Sequence, residues 1–165
     1  MTGPETLMFG ANGWVPNNPD LPVLIYRGVV AVGAPEPIEG TLAANSWKPD
    51  WRDGVYDYHH YHSTAHEALA CVTGSARLML GGPGGTEVSI TAGDLMVLPA
   101  GTGHRRIAAS TDFLLVGAYP EGPVWDICRG QADAETMVRI ATVPLPSADP
   151  VEGSAGPLMR LWSRG

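Results

Sequence analysis

The sequence predicts an all-β fold made of many short strands joined by turns. Glycine and proline, with 21 and 15 residues, together exceed a fifth of the 165-residue chain, which disfavours a helical bundle. From residue 53 onward, short apolar segments alternate with glycine-containing turns at intervals of about eight to twelve residues. That spacing is typical of a β-sandwich or β-barrel, and a hydrophobic fraction of 44% is sufficient for a core.

The first elements can be placed in chain order. Residues 1–20 are polar and rich in turn residues, whereas residues 21–32 form a β-branched, apolar segment that predicts a strand. Residues 35–47 are the best helix candidate, because proline and glutamate stand near the start. The later segments predict seven further strands, at 55–62, 67–74, 76–85, 86–94, 95–103, 104–110 and 112–119.

The last 46 residues, 120–165, are rich in proline and predict a tail that packs on the barrel. A short helix is expected near 132–140, and the apolar segment 156–162 is suited to dock on the strands. We find no internal repeat and no linker, so we expect a single domain over residues 1–165.

Composition excludes several classes of function. The net charge is −7, Lys48 is the single lysine and no basic run occurs, so nucleic acid is not expected as a partner. No stretch of about eighteen apolar residues predicts a membrane helix, and no secretory signal is visible at the start. With two cysteines, Cys71 and Cys128, there is no disulfide framework, which favours a cytoplasmic protein.

Four of the five histidines lie in the ten-residue segment "YHHYHSTAHE", residues 58–67. On a strand, His60 and His62 share one face while His59 and Tyr61 share the other, because side chains alternate. Two imidazoles spaced in this way can reach one metal ion. An alternative is a zinc site on a helix formed by His62 and His66. That motif needs a glutamate directly after the first histidine, and the sequence lacks it.

Two further side chains can complete a metal site. Glu67 follows a short connection, "STAH", and would begin the next strand facing His60 and His62, while His104 begins a later strand. Neutral imidazoles and a carboxylate suit a divalent transition metal such as Fe, Mn, Ni, Co, Cu or Zn. Four protein ligands on an octahedral ion leave two positions for water, substrate or oxygen.

The spacing of these residues resembles the two conserved motifs of the cupin superfamily. The first motif is matched by Gly54, His60, His62, Glu67 and Gly74, and the second by Gly93, Pro99, Gly101 and His104. Ala108 stands where the second motif usually has an asparagine, which puts the local turn or pocket lining in question but not the ligands. The motifs cover residues 54–108, and the flanking sequence resembles the uncharacterised bacterial YjlB-like cupins.

This resemblance implies one double-stranded β-helix, which is a jelly-roll barrel, and the sequence itself adds a short N-terminal helix and a packed C-terminal tail. The resemblance also implies a divalent metal inside the barrel near one mouth, held by His60, His62, Glu67 and His104. Because a small barrel has sheet edges to cover, we further expect a homodimer, with the strand in 21–32 as one candidate to cover an edge.

Glu67, Tyr58 and Arg106 are candidates for a catalytic role. Tyr58, like Tyr56, shares the face of the metal ligands and would either line the pocket mouth or fill the barrel end. Arg106 shares the strand face of His104 and would either bind an anionic ligand or lie solvated at the barrel rim.

Two neighbours of the predicted ligands have other expected roles. His66 is expected as a hydrogen-bond donor behind the ligands or as a turn residue, rather than as a ligand. Cys71 shares the strand face of Glu67 and is expected to pack in the core.

Three functions are consistent with these residues. The first is a metal-dependent enzyme acting on a small organic molecule, as a dioxygenase or as an isomerase or epimerase. The second is a non-catalytic cupin that binds or senses a small molecule through the same site. The third is a structural metal site, which is disfavoured because such sites are usually closed and often contain cysteine.

Overall fold

The structure is a computed structural model that describes residues 3–164. None of the helices in this range is long and apolar enough to cross a membrane. The strands are β1 (Glu5–Leu7), β2 (Val23–Tyr26), β3 (Trp47–Asp53), β4 (Glu67–Thr73), β5 (Ser75–Leu80), β6 (Thr86–Thr91), β7 (Leu95–Leu98), β8 (His104–Ala109) and β9 (Leu114–Pro120). The helices are α1 (Glu36–Ala44), α2 (Ala134–Thr142) and α3 (Leu158–Leu161).

The strands form two antiparallel sheets that pack face to face as a jelly-roll barrel. The larger sheet has the order β1-β2-β7-β4-β9-β3, and the smaller sheet has the order β6-β5-β8. Apolar side chains from both sheets form one cluster between them. The predicted all-β jelly-roll class, with short helices added to it, is therefore confirmed.

Strand β4 shows how the sequence directs residues to two different cores. Leu69 and Cys71 pack between the sheets, whereas Ala68 and Ala70 pack on the other face of the larger sheet. Because both faces are covered, the strand is an unbroken apolar run rather than an alternating one. Glu67, the first residue of β4, has the parity of Leu69 and Cys71 and therefore belongs to the barrel interior.

The outer face of the larger sheet is covered by helix α1 and by the C-terminal tail. Leu42 of α1 and Trp162 of the tail belong to the same buried cluster, and the Trp162 indole donates a hydrogen bond to the carbonyl of Pro22 at 2.8 Å. Buried Asp149 holds the tail in place, because it accepts hydrogen bonds from the Tyr26 hydroxyl at 2.6 Å and from the Leu158 amide at 3.0 Å. The tail is packed, as expected.

Three details differ from the strand predictions, and the first is that β1 forms within residues 1–20, which were expected to be turn-rich. The segment 55–62 is not a regular strand, because it forms isolated bridges at His60 and Tyr61, to His104 and Cys128. Strand β3 was not predicted, since its sequence carries a proline and several charged residues. It lies at the edge of the larger sheet, where proline is tolerated, and its pairing with β9 shifts register directly after Pro49.

Candidate metal centre

Three imidazoles meet at one end of the barrel interior. His60 and His62 come from the extended segment before β4, and His104 is the first residue of β8. A pair of backbone hydrogen bonds between His60 and His104, at 3.3 and 2.9 Å, places these two residues side by side. All three side chains are buried, and their ligand atoms lie within 4.8 Å of one another.

Each of these imidazoles is held by a backbone carbonyl at Nδ1. The partners are Tyr58 for His60 at 3.1 Å, Thr102 for His104 at 3.0 Å, and Asp126 for His62. A carbonyl oxygen can only accept a hydrogen bond, so each Nδ1 carries the proton. The lone pair of each neutral ring is therefore on Nε2, which is the arrangement that a metal-binding histidine needs.

Glu67 lies against two of the three imidazoles. Its Oε2 is 3.1 Å from Nε2 of His62, and its Oε1 is 3.3 Å from Nε2 of His104. Two ligand atoms on adjacent positions of one ion, at bond lengths of about 2.1 Å, are about 3 Å apart. These two separations match an ion shared by Glu67, His62 and His104, whereas the group whose ligand atoms all lie within 4.8 Å of one another contains the three histidines without Glu67.

Unpaired polar atoms at the same place also fit a cation. In the part of the chain that the structure describes, Nε2 of His62 and Oε1 of Glu67 are buried and have no partner in hydrogen-bonding geometry. Buried polar atoms without partners are costly, and native proteins rarely keep them unless a water or an ion satisfies them. The donor set, three nitrogens and a carboxylate, is one that divalent transition metals accept.

The electrostatics act in opposite directions on His60 and His62. Burial, and after it the charge of the neighbouring His104, lower the pKa of His60 to about 3. Burial also opposes protonation of His62, but the carboxylate of Glu67 outweighs it and raises the pKa of His62. In the same way, burial alone would raise the pKa of Glu67, yet the positive charge on His62 holds that pKa well below its usual range. A proton on His62 thus occupies the position that a cation would take.

A cavity of about 400 Å³ opens beside these four residues. Small-molecule sites generally have volumes of about 300 to 1,000 Å³. One wall is aromatic, because Trp51, Tyr119 and Trp125 line it and the rings of Tyr119 and Trp125 stack at 5.6 Å. The site is therefore open on one side and suited to an organic ligand.

Tyr119 is a site residue that the sequence did not reveal. Its hydroxyl donates a hydrogen bond to Oε2 of Glu67 at 2.6 Å and accepts one from the Trp51 indole at 2.8 Å. It lies near the end of β9, and the sequence of this strand is typical of a barrel core. The adjacency of β9 to β4 is what brings it to Glu67, and sequence spacing carries no signal for that contact.

The structure places the two other catalytic candidates differently. Arg106 is half-buried, lines the cavity and donates a hydrogen bond to the Val55 carbonyl at 3.3 Å. Tyr58 is outside the cavity lining, because its ring stacks on Tyr56 at 4.8 Å and is covered by the guanidinium of Arg129 at 3.7 Å. Tyr56 lines the cavity in its place.

The remaining residues singled out in the sequence surround the site. His66 is fully buried, accepts a hydrogen bond from the Ala100 amide at 2.9 Å and packs its ring edge on Trp162. Cys71 is buried among apolar side chains between the sheets. Ala108 is exposed and outside the cavity lining, so the departure from the cupin motif does not touch the cavity.

Comparisons with known proteins agree with this description. The Cupin domain family matches residues 52–116. The uncharacterized protein YjlB of Bacillus subtilis is 35% identical over 161 residues, which cover 96% of this chain and 96% of that protein. A DUF861 family protein of Thermotoga maritima, known from its crystal structure, is 18% identical over 58% of this chain and 96% of its own, with a TM-score of 0.36. That last likeness is too weak to support any argument.

Proposed function

The chain belongs to the cupin superfamily and to the group of cupins that includes YjlB, and from that premise we propose a metal-dependent enzyme that acts on a small organic anion. One observation carries the proposal. Three buried imidazoles, each with Nδ1 held by a carbonyl, have their free nitrogens close together beside Glu67 and an open cavity.

We assign the metal ligands as His60, His62 and His104 through Nε2, and Glu67 through its carboxylate. A divalent ion bound there would polarise an oxygen of the substrate, and a redox-active ion would also exchange electrons with dioxygen. All four side chains are buried, so few other conformations are accessible to them, and this favours tight binding of an ion.

Arg106 is assigned to substrate binding. Among the described residues that line the cavity, it carries the single permanent positive charge. The carboxylates of Asp53 and Asp57 also reach the lining, but both residues are exposed, so solvent screens their repulsion of an anion. A guanidinium that is half-buried binds a carboxylate more strongly than an exposed one, because less water competes for it.

Tyr119 and Trp51 are assigned to the control of the Glu67 carboxylate. The Tyr119 hydroxyl directs its proton at Glu67, while the Trp51 indole fixes the hydroxyl from the other side. Burial, followed by the charge of Glu67, raises the pKa of Tyr119, so its proton remains on the oxygen at neutral pH. Tyr119 can therefore donate a hydrogen bond in the cavity without becoming a base.

We infer a dioxygenase-like reaction first and an isomerase-like or epimerase-like reaction second. A substrate that reaches the metal through an oxygen, with Arg106 on its carboxylate, is suited to both. The alternative function, a cupin that binds or senses the same anion without turnover, is the outcome if no chemistry is found.

The test begins with protein purified without chelators or nickel resin. Its metal is identified by mass spectrometry, and the loaded protein is mixed with a panel of aliphatic and aromatic carboxylates. Oxygen uptake with a redox-active metal indicates the dioxygenase, and a change in proton NMR without oxygen uptake indicates the isomerase. Saturable binding with neither change supports the sensing alternative, and protein that binds no divalent metal overturns the proposal.

We also propose that residues 1–165 form one domain, that the protein is a cytoplasmic homodimer and that no nucleic acid is bound. Docking of the tail on the barrel supports the single domain, and the two free cysteines suit a reducing compartment. Strand β2 covers β7 within its own barrel, which leaves the dimer surface to other segments. Light scattering would measure the mass, and a monomer would contradict the dimer.

A further inference from the structure

A segment beyond the part of the chain that matches the Cupin domain runs directly behind one of the assigned metal ligands. Residues 124–128, which we call the strap, follow β9 and lie outside residues 52–116, the part that matches the Cupin domain. We propose that Asp126 of the strap is a positioning residue, which fixes the orientation and tautomer of His62. This inference rests on the proposed metal site.

Asp126 holds the histidine segment with both its backbone and its side chain. Its carbonyl oxygen accepts the Nδ1 proton of His62. Its carboxylate accepts hydrogen bonds from the amide of Ser63 at 2.6 Å and from the Ser63 hydroxyl. Because the carboxylate is anchored on the residue next to His62, the carbonyl cannot turn away from the ring without breaking those bonds.

The strap is fastened at further points on either side. The backbone of Cys128 exchanges two hydrogen bonds with Tyr61, at 3.0 and 2.8 Å, and the carbonyl of Val124 accepts one from the Thr64 hydroxyl at 2.7 Å. Together with the bonds of Asp126, these contacts join the strap to residues 61–64. The segment 55–62 is joined to β8 by separate backbone hydrogen bonds at Tyr56 and His60 rather than by a strand ladder, so the strap adds to the order that the barrel supplies.

Helix α2 also contacts the hydrogen bonds between Ser63 and Asp126. The guanidinium of Arg139 donates a hydrogen bond to the Ser63 hydroxyl oxygen at 3.1 Å, so that oxygen is left to donate its own proton to Asp126. Burial would raise the pKa of Asp126, but the hydrogen bonds from Ser63 outweigh it and lower that pKa. The carboxylate is therefore ionised at neutral pH and can accept both bonds.

The carbonyl contact has a chemical consequence at the metal. A histidine that donates Nδ1–H to a carbonyl presents a more basic Nε2, and loss of such a partner generally weakens metal binding by about 10- to 100-fold. His60 and His104 take their carbonyls from residues two positions earlier in their own segments, whereas His62 depends on a distant part of the chain. It is the one ligand of the three whose geometry the C-terminal region controls.

The experiment is a graded series of variants on the full chain, compared by metal affinity and by the visible absorption spectrum of bound Co²⁺. Asp126→Ala removes both bonds from Ser63 and the one from the Cys128 thiol, and Asp126→Asn keeps an acceptor for the Ser63 amide but not for its hydroxyl. We expect Co²⁺ affinity to fall by up to about tenfold in Asp126→Ala, which keeps the carbonyl but loses the side chain that anchors it, and by less in Asp126→Asn, with a shifted spectrum in the former.

Thr64→Val is the matched control, because it cuts a contact of the same strap that does not involve His62. It should leave the Co²⁺ spectrum and, within about twofold, the affinity of wild type. If Asp126→Ala does not fold by circular dichroism, Asp126→Asn decides by the same two readouts. Wild-type affinity and spectrum in the folded Asp126 variant would overturn this inference alone, whereas a wild-type protein that binds no Co²⁺ would overturn the proposed function.

Discussion

The hydroxyl of Tyr119 lies 2.6 Å from Oε2 of Glu67, and this contact joins the candidate metal centre to the neighbouring strand. The Tyr119 hydroxyl oxygen in turn accepts a hydrogen bond from the indole of Trp51 at 2.8 Å. Three side chains from β3, β4 and β9 thus form one chain of hydrogen bonds at the cavity wall.

Tyr119→Phe should weaken both the fold and the metal site. It leaves the Trp51 indole without an acceptor, which should cost about 1–3 kcal/mol in the free energy of unfolding. Metal affinity should also fall, by up to about tenfold, because Glu67 loses a group that orients it. Urea unfolding and competition with a chelating dye measure the two effects. Tyr56→Phe, on an exposed tyrosine of the same cavity, is the control and should change neither quantity.

Arg106→Leu should reduce the affinity for carboxylates by about 10- to 100-fold, which corresponds to loss of a charge-assisted hydrogen bond. Metal content should not change, because Arg106 contacts none of the assigned ligands through a hydrogen bond in the described structure. The control is Arg105→Leu, the preceding residue on β8, which is outside the cavity lining. Titration calorimetry with benzoate and succinate on the metal-loaded protein gives the comparison. Equal losses in the two variants would rule out a specific role for Arg106.

Metal binding should become weaker as pH falls, and the cause should be His62. The raised pKa of His62 means that a proton must leave this ring before an ion binds, whereas His60, with a pKa of about 3, is already neutral. At a pH below the raised pKa of His62, affinity should fall by about tenfold per pH unit, with about one proton released per ion. Calorimetry in buffers of different ionisation enthalpy counts the protons. Metal binding that releases no proton at such a pH would contradict a protonated His62 in the metal-free protein.

Gly117→Ala should disturb the aromatic wall of the cavity. A Cβ at this position would lie 2.1 Å from the indole of Trp51, which is held in place by Tyr119. The rigid ring must move, so the variant should be destabilised by about 1–3 kcal/mol. The tryptophan fluorescence maximum should shift to longer wavelength as the indole is exposed. Gly40→Ala, in helix α1 with open space around it, is the control and should be neutral or stabilising.

Much of the barrel could be predicted because its strands carry local signals. Strands β4 to β9 begin and end close to turn residues, and each contains the apolar or alternating pattern that the sheet requires. Strand β3 lacked such a signal, since its outward face is charged and it contains Pro49. It forms because β9 offers an open edge, which is a property of the assembled sheet rather than of the segment.

It was also predictable that the four assigned metal ligands lie close together, although the structural reason predicted for it, a regular strand over residues 55–62, was partly wrong. The alternation of side-chain directions along the segment correctly placed His60 and Tyr61 on opposite sides. Tyr61 is buried on its side against Trp14. However, the segment is held by isolated bridges and by the strap rather than by a strand ladder. The roles of Tyr119 and Asp126 could not be predicted from the sequence. Tyr119 contacts Glu67 and Asp126 contacts His62, and each pair is more than fifty residues apart along the chain.

The most direct test of the account is the metal content per chain of wild type and of three histidine variants. His60 and His62 are buried with their free nitrogens at the shared site, whereas His59 is half-buried and lies outside this cluster. We predict about one ion per chain in wild type and in His59→Ala, and little metal in His60→Ala or His62→Ala, because the remaining ligands bind far more weakly. Full occupancy in His60→Ala, or equal metal loss in His59→Ala and His60→Ala, would contradict the assigned site.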